Sequence, residues 1–135
     1  MGGMPDPDNG VVLVADADAN VLENVSSTLE KAGYEVITAL GSKPLLDLCA
    51  RRPKAIHLAI LDITMPGAGP DLVQRISDSY PGIRILYTAT TDESGRAAQF
   101  GPSGRVRDFL QKPFRRSQLL GRVLQVLDAP MVHTA

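Results

Sequence analysis

His57-Leu58-Ala59-Ile60-Leu61-Asp62-Ile63-Thr64-Met65-Pro66-Gly67 decides how the chain is read. The apolar run is too short to span a membrane and rich in branched residues; it delivers one carboxylate and then meets Pro66 and Gly67, which end a strand. Asp62 therefore stands at the carboxyl end of a buried strand. In an open parallel α/β sheet ligands and chemistry gather at that edge, so Asp62 is a candidate site residue. The alternative is a carboxylate that only caps the following turn.

Working outward, a second apolar run, Val11-Val12-Leu13-Val14-Ala15, also ends on an acid, Asp16. It reads as a strand buried on both faces. Val21, Val25, Thr28, Leu29 and Ala32 follow at helical spacing up to Gly33, with Asp18 or Asn20 as cap. Tyr34 to Ala39 is a short strand, and Leu45, Leu46, Leu48 and Cys49 mark a second helix, opened by Ser42 and Pro44 and ended by Arg51-Arg52-Pro53. Beyond Asp62 the pattern predicts a helix over Asp71 to Tyr80, a strand over Ile83 to Tyr87 ending on Thr88, and a short Gly-interrupted helix over Asp92 to Phe100. A fifth strand over Val106 to Leu110 and an amphipathic helix from Ser117, ending near Asp128, complete the pattern.

Strand and helix alternate five times, which predicts a doubly wound α/β fold: a five-stranded parallel sheet with helices on both faces. Asp16, Asp62, Thr88 and Lys112 then collect at one sheet edge. Two acids, a hydroxyl and an amine suit a site for a hard divalent cation and a phosphoryl group. Mg²⁺ prefers oxygen ligands, and a carboxylate can itself accept a phosphoryl group.

The 135 residues, with formal net charge −1, suit one domain. It is expected over residues 11–128, between a flexible leader (1–10) and tail (129–135). The single Cys49 excludes an internal disulfide framework, and without a Cys/His cluster there is no thiolate zinc site. No apolar run reaches membrane-spanning length and Met1 to Gly10 lacks a secretory pattern, so a cytoplasmic location is expected. Arg96, Arg105, Arg107, Lys112, Arg115, Arg116 and Arg122 make the final third locally basic. That stretch is either solvated surface or an anion- or partner-binding face. With no helix-turn-helix segment or aromatic platform, direct nucleic-acid binding is not expected.

Four ordered motifs resemble the receiver domain of two-component response regulators: Leu13-Val14-Ala15-Asp16, Ile60 to Gly67, Leu86-Tyr87-Thr88-Ala89, and Phe109-Leu110-Gln111-Lys112-Pro113-Phe114. The similarity runs roughly from Val11 to Leu127. It implies a flavodoxin-like receiver fold in which Asp62 accepts a phosphoryl group from a histidine kinase or phosphotransfer domain. It implies Mg²⁺ held by Asp16, Asp62 and the main-chain carbonyl of Thr64, and Lys112 paired with the phosphoryl group. Thr88, Ala89 and Phe109 would form the switch toward a downstream protein or effector domain, with a cis bond before Pro113. A homodimer through the face between the 92–100 and 117–127 segments is a further partner expectation.

The chain also departs from the family pattern. Counting back from Gly33 without a gap sets Asp16-Ala17 where the family has an acidic pair, so Ala17 replaces an acid that touches the metal. A second register, with one extra residue before the helix, makes Asp16 that acid and Ala15 its missing partner. Either way one ligand is lost and Mg²⁺ affinity should fall, unless Asp18 substitutes. The turn after Pro66 is one residue short and lacks its common acid. Two other functions compete: a degenerate pseudo-receiver whose Arg105, Arg107, Arg115 and Arg116 dock a protein or nucleotide, and a phosphatase using Asp16-Ala17-Asp18 as a DxD motif with Asp16 as nucleophile.

Overall fold

The computed structural model describes residues 10–91 and 108–128. The expectations for the leader, the tail, the 92–100 helix, Arg96, Arg105, Val106 and Arg107 lie outside the described residues.

Five parallel strands form one sheet in the order β2-β1-β3-β4-β5: β1 (Val11–Asp16), β2 (Glu35–Leu40), β3 (Leu58–Asp62), β4 (Arg84–Ala89) and β5 (Phe109–Gln111). Four helices are described: α1 (Ala19–Lys31), α2 (Ser42–Arg51), α3 (Pro70–Ser79) and α4 (Arg116–Asp128). The doubly wound prediction holds. β1 and β3 are buried along their whole length, as continuous apolar runs in a sheet covered on both faces require.

Alternation along the strands divides the core. Leu13, Ala15, Ala59 and Leu61 pack with Leu45 and Leu48 of α2 and Leu72, Val73 and Ile76 of α3. Val12, Val14, Leu58 and Ile60 pack on the other side with Leu22, Val25 and Leu29 of α1 and Leu119, Val123 and Val126 of α4. Asp16, Asp62, Thr88 and Lys112 continue the second set, each two positions past Val14, Ile60, Leu86 and Leu110.

Several boundaries differ by a residue or two from the expected ones. α3 begins at Pro70, because a proline at the first helical position gives up no bond the helix needs. α1 begins at Ala19 because Asp18 caps it, its carboxylate accepting the Asn20 amide at 2.8 Å. Among the described residues the fifth strand is Phe109–Gln111, one residue past the expected end at Leu110, since pairing with β4 runs Tyr87↔Phe109, Thr88↔Leu110 and Ala89↔Gln111. At the opposite edge of the sheet from Asp62, the guanidinium of Arg84 donates to the Val126 and Leu127 carbonyls at 2.6 and 2.5 Å, closing the end of α4. Among the described residues no helix is long and apolar enough to cross a membrane.

Candidate functional site

Register places the acids. Ala15 pairs with Leu61, and Asp62 pairs with Thr88, so Asp16, Asp62 and Thr88 lie in one row across β1, β3 and β4. Their burial is nearly complete, at 3 %, 5 % and 2 % exposed. Two buried carboxylates side by side demand a counter-charge, and β5 supplies it. The Lys112 main-chain amide donates to the Ala89 carbonyl at 2.7 Å, just past the end of the strand. Its ammonium then reaches Asp16 Oδ2 at 2.6 Å and Asp62 Oδ2 at 3.1 Å. The Lys112–Pro113 bond is cis.

The remaining carboxylate oxygens are held locally. Asp16 Oδ1 accepts the Asp18 amide at 2.9 Å. Asp62 Oδ1 accepts both the amide (2.8 Å) and the hydroxyl (2.6 Å) of Thr64. Burial works to raise the Asp62 pKa. The Thr64 hydroxyl and amide and the Lys112 ammonium outweigh it and hold the carboxyl below the ordinary range, so Asp62 is ionised. Burial likewise pulls the Lys112 ammonium down, but Asp16 and then Asp62 raise it overall. The Lys112 ammonium thus bridges the two buried carboxyl groups.

The two carboxylates suit a hard cation in kind, being oxygen donors. They are few in number. Among the described residues no group of three or more His, Cys, Asp and Glu side chains gathers to hold a metal. Ala17 is exposed and brings no donor, while Asp18 is exposed and engaged in capping α1. That capping role, with Asp16 paired to Lys112, gives the DxD phosphatase reading no support.

Of the residues expected to form a switch, Ala89 is fully buried and Phe109 is 7 % exposed. The Phe109 carbonyl accepts from the Arg122 guanidinium at 2.5 Å. Arg115 and Arg116 are exposed at the start of α4. Sequence reasoning missed Gly41 and Ser42 as part of this site, treating Ser42 only as a helix opener. The Gly41 amide donates to the Asp16 carbonyl at 3.0 Å, and the Ser42 hydroxyl donates to the Pro66 carbonyl at 2.5 Å. The only available signal was a small, polar pair between a strand and a helix.

Comparison with known proteins agrees with this geometry. The family model described as the response regulator receiver domain matches residues 12–124. The heme response regulator HssR of Staphylococcus epidermidis is 34% identical over 116 residues, covering 85% of this chain and 50% of that protein. The chain spans about half the length of the curated relatives it matches. Among solved structures, a receiver domain protein from Clostridium thermocellum superposes with TM-score 0.75 at 24% identity, covering 88% of this chain and 94% of that one. The BeF3-activated receiver domain of DrrB, a Thermotoga maritima protein, superposes with TM-score 0.71 at 25% identity, covering 89% and 98%. From the sheet order, the ordered strand-end residues and the match over 12–124, the chain belongs to the response regulator receiver domain family of two-component signalling.

Proposed function

We propose that the chain is a phospho-accepting receiver in which Asp62 Oδ2 takes a phosphoryl group from the phosphohistidine of a histidine kinase or phosphotransfer domain. Receiver domains pair with histidine kinases, typically bind Mg²⁺ and are typically regulatory rather than enzymatic. The observation that carries the reading is the bridging Lys112 ammonium, at 2.6 and 3.1 Å from the Oδ2 atoms of Asp16 and Asp62.

Two short Thr64 bonds occupy Asp62 Oδ1, whereas Oδ2 has only the longer bond to Lys112, so Oδ2 is the freer nucleophile. Its lone pair forms the new P–O bond as the P–N bond breaks. The electron pair of that bond leaves on the imidazole nitrogen, and the product is an acyl phosphate on Asp62. Lys112 turns from the carboxylates to the phosphoryl oxygens, and the Thr88 hydroxyl donates to one of them. Asp16, Asp62 and the Thr64 carbonyl would hold Mg²⁺, whose chemistry there would be to offset the negative charge of the phosphoryl oxygens. Thr88, Ala89 and Phe109, joined by the β4–β5 ladder, pass the change to a downstream protein or effector domain. A reducing, cytoplasmic setting suits the buried free thiol of Cys49.

Incubation with acetyl phosphate and Mg²⁺ should add one phosphoryl group by intact mass, and Asp62→Asn should abolish the gain. An unchanged wild-type mass, or the same gain in Asp62→Asn, refutes the reading. The first result would favour a pseudo-receiver that binds without phosphorylation, a reading supported by the missing donor at Ala17.

A further inference from the structure

We propose that Ser42 is a positioning residue for phosphoryl transfer at Asp62, acting through the Pro66 carbonyl; this rests on Asp62 being the acceptor. Ser42 is the first residue of α2, next to the cap position at which a serine hydroxyl serves its own helix. Here it does not. Gly41 is the cap residue and has no side chain, and the Ser42 hydroxyl donates away from the helix to Pro66, 24 residues on in sequence.

The receiving loop is rooted at its start, where the Ile63 amide donates to the Thr88 carbonyl at 3.0 Å and the Ile63 and Met65 side chains are buried in the core; beyond that its backbone bonds turn on the loop itself. The Met65 amide bonds back to the Asp62 carbonyl at 3.4 Å and the Ala68 amide to the Met65 carbonyl at 3.1 Å. Pro66 and Gly67 are the central residues of the second turn, and Pro66 has no amide hydrogen to anchor it. Ser42 fills its carbonyl from outside. Contact continues at Gly67, whose φ is +87°, where a Cβ would lie 2.9 Å from the Ser42 hydroxyl oxygen and 3.1 Å from its Cβ. The loop backbone thus rests on the Ser42 side chain, closer than any larger residue at position 67 permits.

Immediately before Ser42, the Gly41 amide donates to the Asp16 carbonyl at 3.0 Å. Gly41 and Ser42 therefore tie together the backbones that follow the two buried acids, independently of Lys112. The loop braced in this way carries the Thr64 amide and hydroxyl that hold Asp62 Oδ1. Ser42 touches no reacting atom. Its effect is to fix the loop, leaving Asp62 Oδ1 bound to Thr64 and Oδ2 free to attack.

The test compares the full chain with Ser42→Ala and Ser42→Thr, following the rate of acyl-phosphate formation from acetyl phosphate and Mg²⁺ alongside urea denaturation. Losing one hydrogen bond that orders the attacking group should slow Ser42→Ala by about 3- to 10-fold. Ser42→Thr keeps the hydroxyl and should stay within about twofold of wild type, which a loss of packing alone would not produce. Gly67→Ala, which pushes the loop off Ser42, should slow the reaction in the same direction. A Ser42→Ala rate equal to wild type, or equal slowing in Ser42→Ala and Ser42→Thr, overturns the role of Ser42 while leaving Asp62 as acceptor. A wild-type protein that takes no phosphoryl group overturns the acceptor reading and this inference with it.

Discussion

Replacing Lys112 by methionine should strand two buried anions. The ammonium is 11 % exposed and bonds to carboxylates whose side chains are 4 % and 7 % exposed, so water cannot readily take its place. Two hydrogen bonds to charged groups, at about 1.5–3 kcal/mol each, are lost. Breaking buried pairs of this kind costs about 3–5 kcal/mol overall, because the surviving charges have no partner. The expected destabilisation of Lys112→Met is about 4 kcal/mol. The assay is urea unfolding at neutral pH in low salt with a chelator present, where the midpoint should fall by roughly 2 M for an m-value of about 2 kcal/mol/M. Adding Asp16→Asn leaves one stranded anion instead of two, so the double variant should recover about half the loss. A Lys112→Met protein within about 1 kcal/mol of wild type, or a double variant less stable than the single, would refute the buried-charge account.

Three further outcomes follow from local geometry. Asp18→Ala removes the cap of α1 and should lower stability by about 1 kcal/mol in the same denaturation assay. Arg52 ends α2 with φ +45°, a left-handed conformation that suits glycine, so Arg52→Gly should raise the midpoint by an amount equivalent to about 0.5–1 kcal/mol. Burial, reinforced by the nearby Asp108 carboxylate, pushes the Tyr87 phenol up from 10.0 to about 12. The folded state then disfavours deprotonation: its stability is intact below pH about 10 and declines as pH rises toward about 12, with about 1.4 kcal/mol lost by pH 11. Tyr87→Phe should lack this part of the alkaline loss when unfolding is compared at pH 8 and pH 11.

Much of this was legible because it depends on strand geometry. Continuous apolar runs ending on Asp16 and Asp62 required strands buried on both faces, and a parallel sheet aligns such ends at one edge. Thr88 followed from the same pattern on β4. Where the chemistry depends on loop paths, sequence spacing gave no handle. Asp18 could have been a metal donor or a cap, and the backbone at Asn20 makes it a cap. Lys112 could have met either acid; it bridges both because residues 96 and 50 positions away arrive in one row. Ser42 reads as a helix opener until the loop at Pro66 is seen lying against it. The fifth strand runs on to Gln111 because its end is set by pairing with Ala89, and an apolar run ending at Leu110 gave no marker of that register.

The Arg84 guanidinium that closes α4 has a mechanical consequence. Arg84 opens the same strand whose other end carries Thr88, roughly 13 Å away along a nearly inextensible backbone. At one end β4 borders the acids, and at the other it grips the last turn of α4 through the Val126 and Leu127 carbonyls. Hydrogen-bonded to β3 and β5 on its two sides, β4 is a fixed strut between the acidic edge of the sheet and the end of α4, with the guanidinium as its coupling pin.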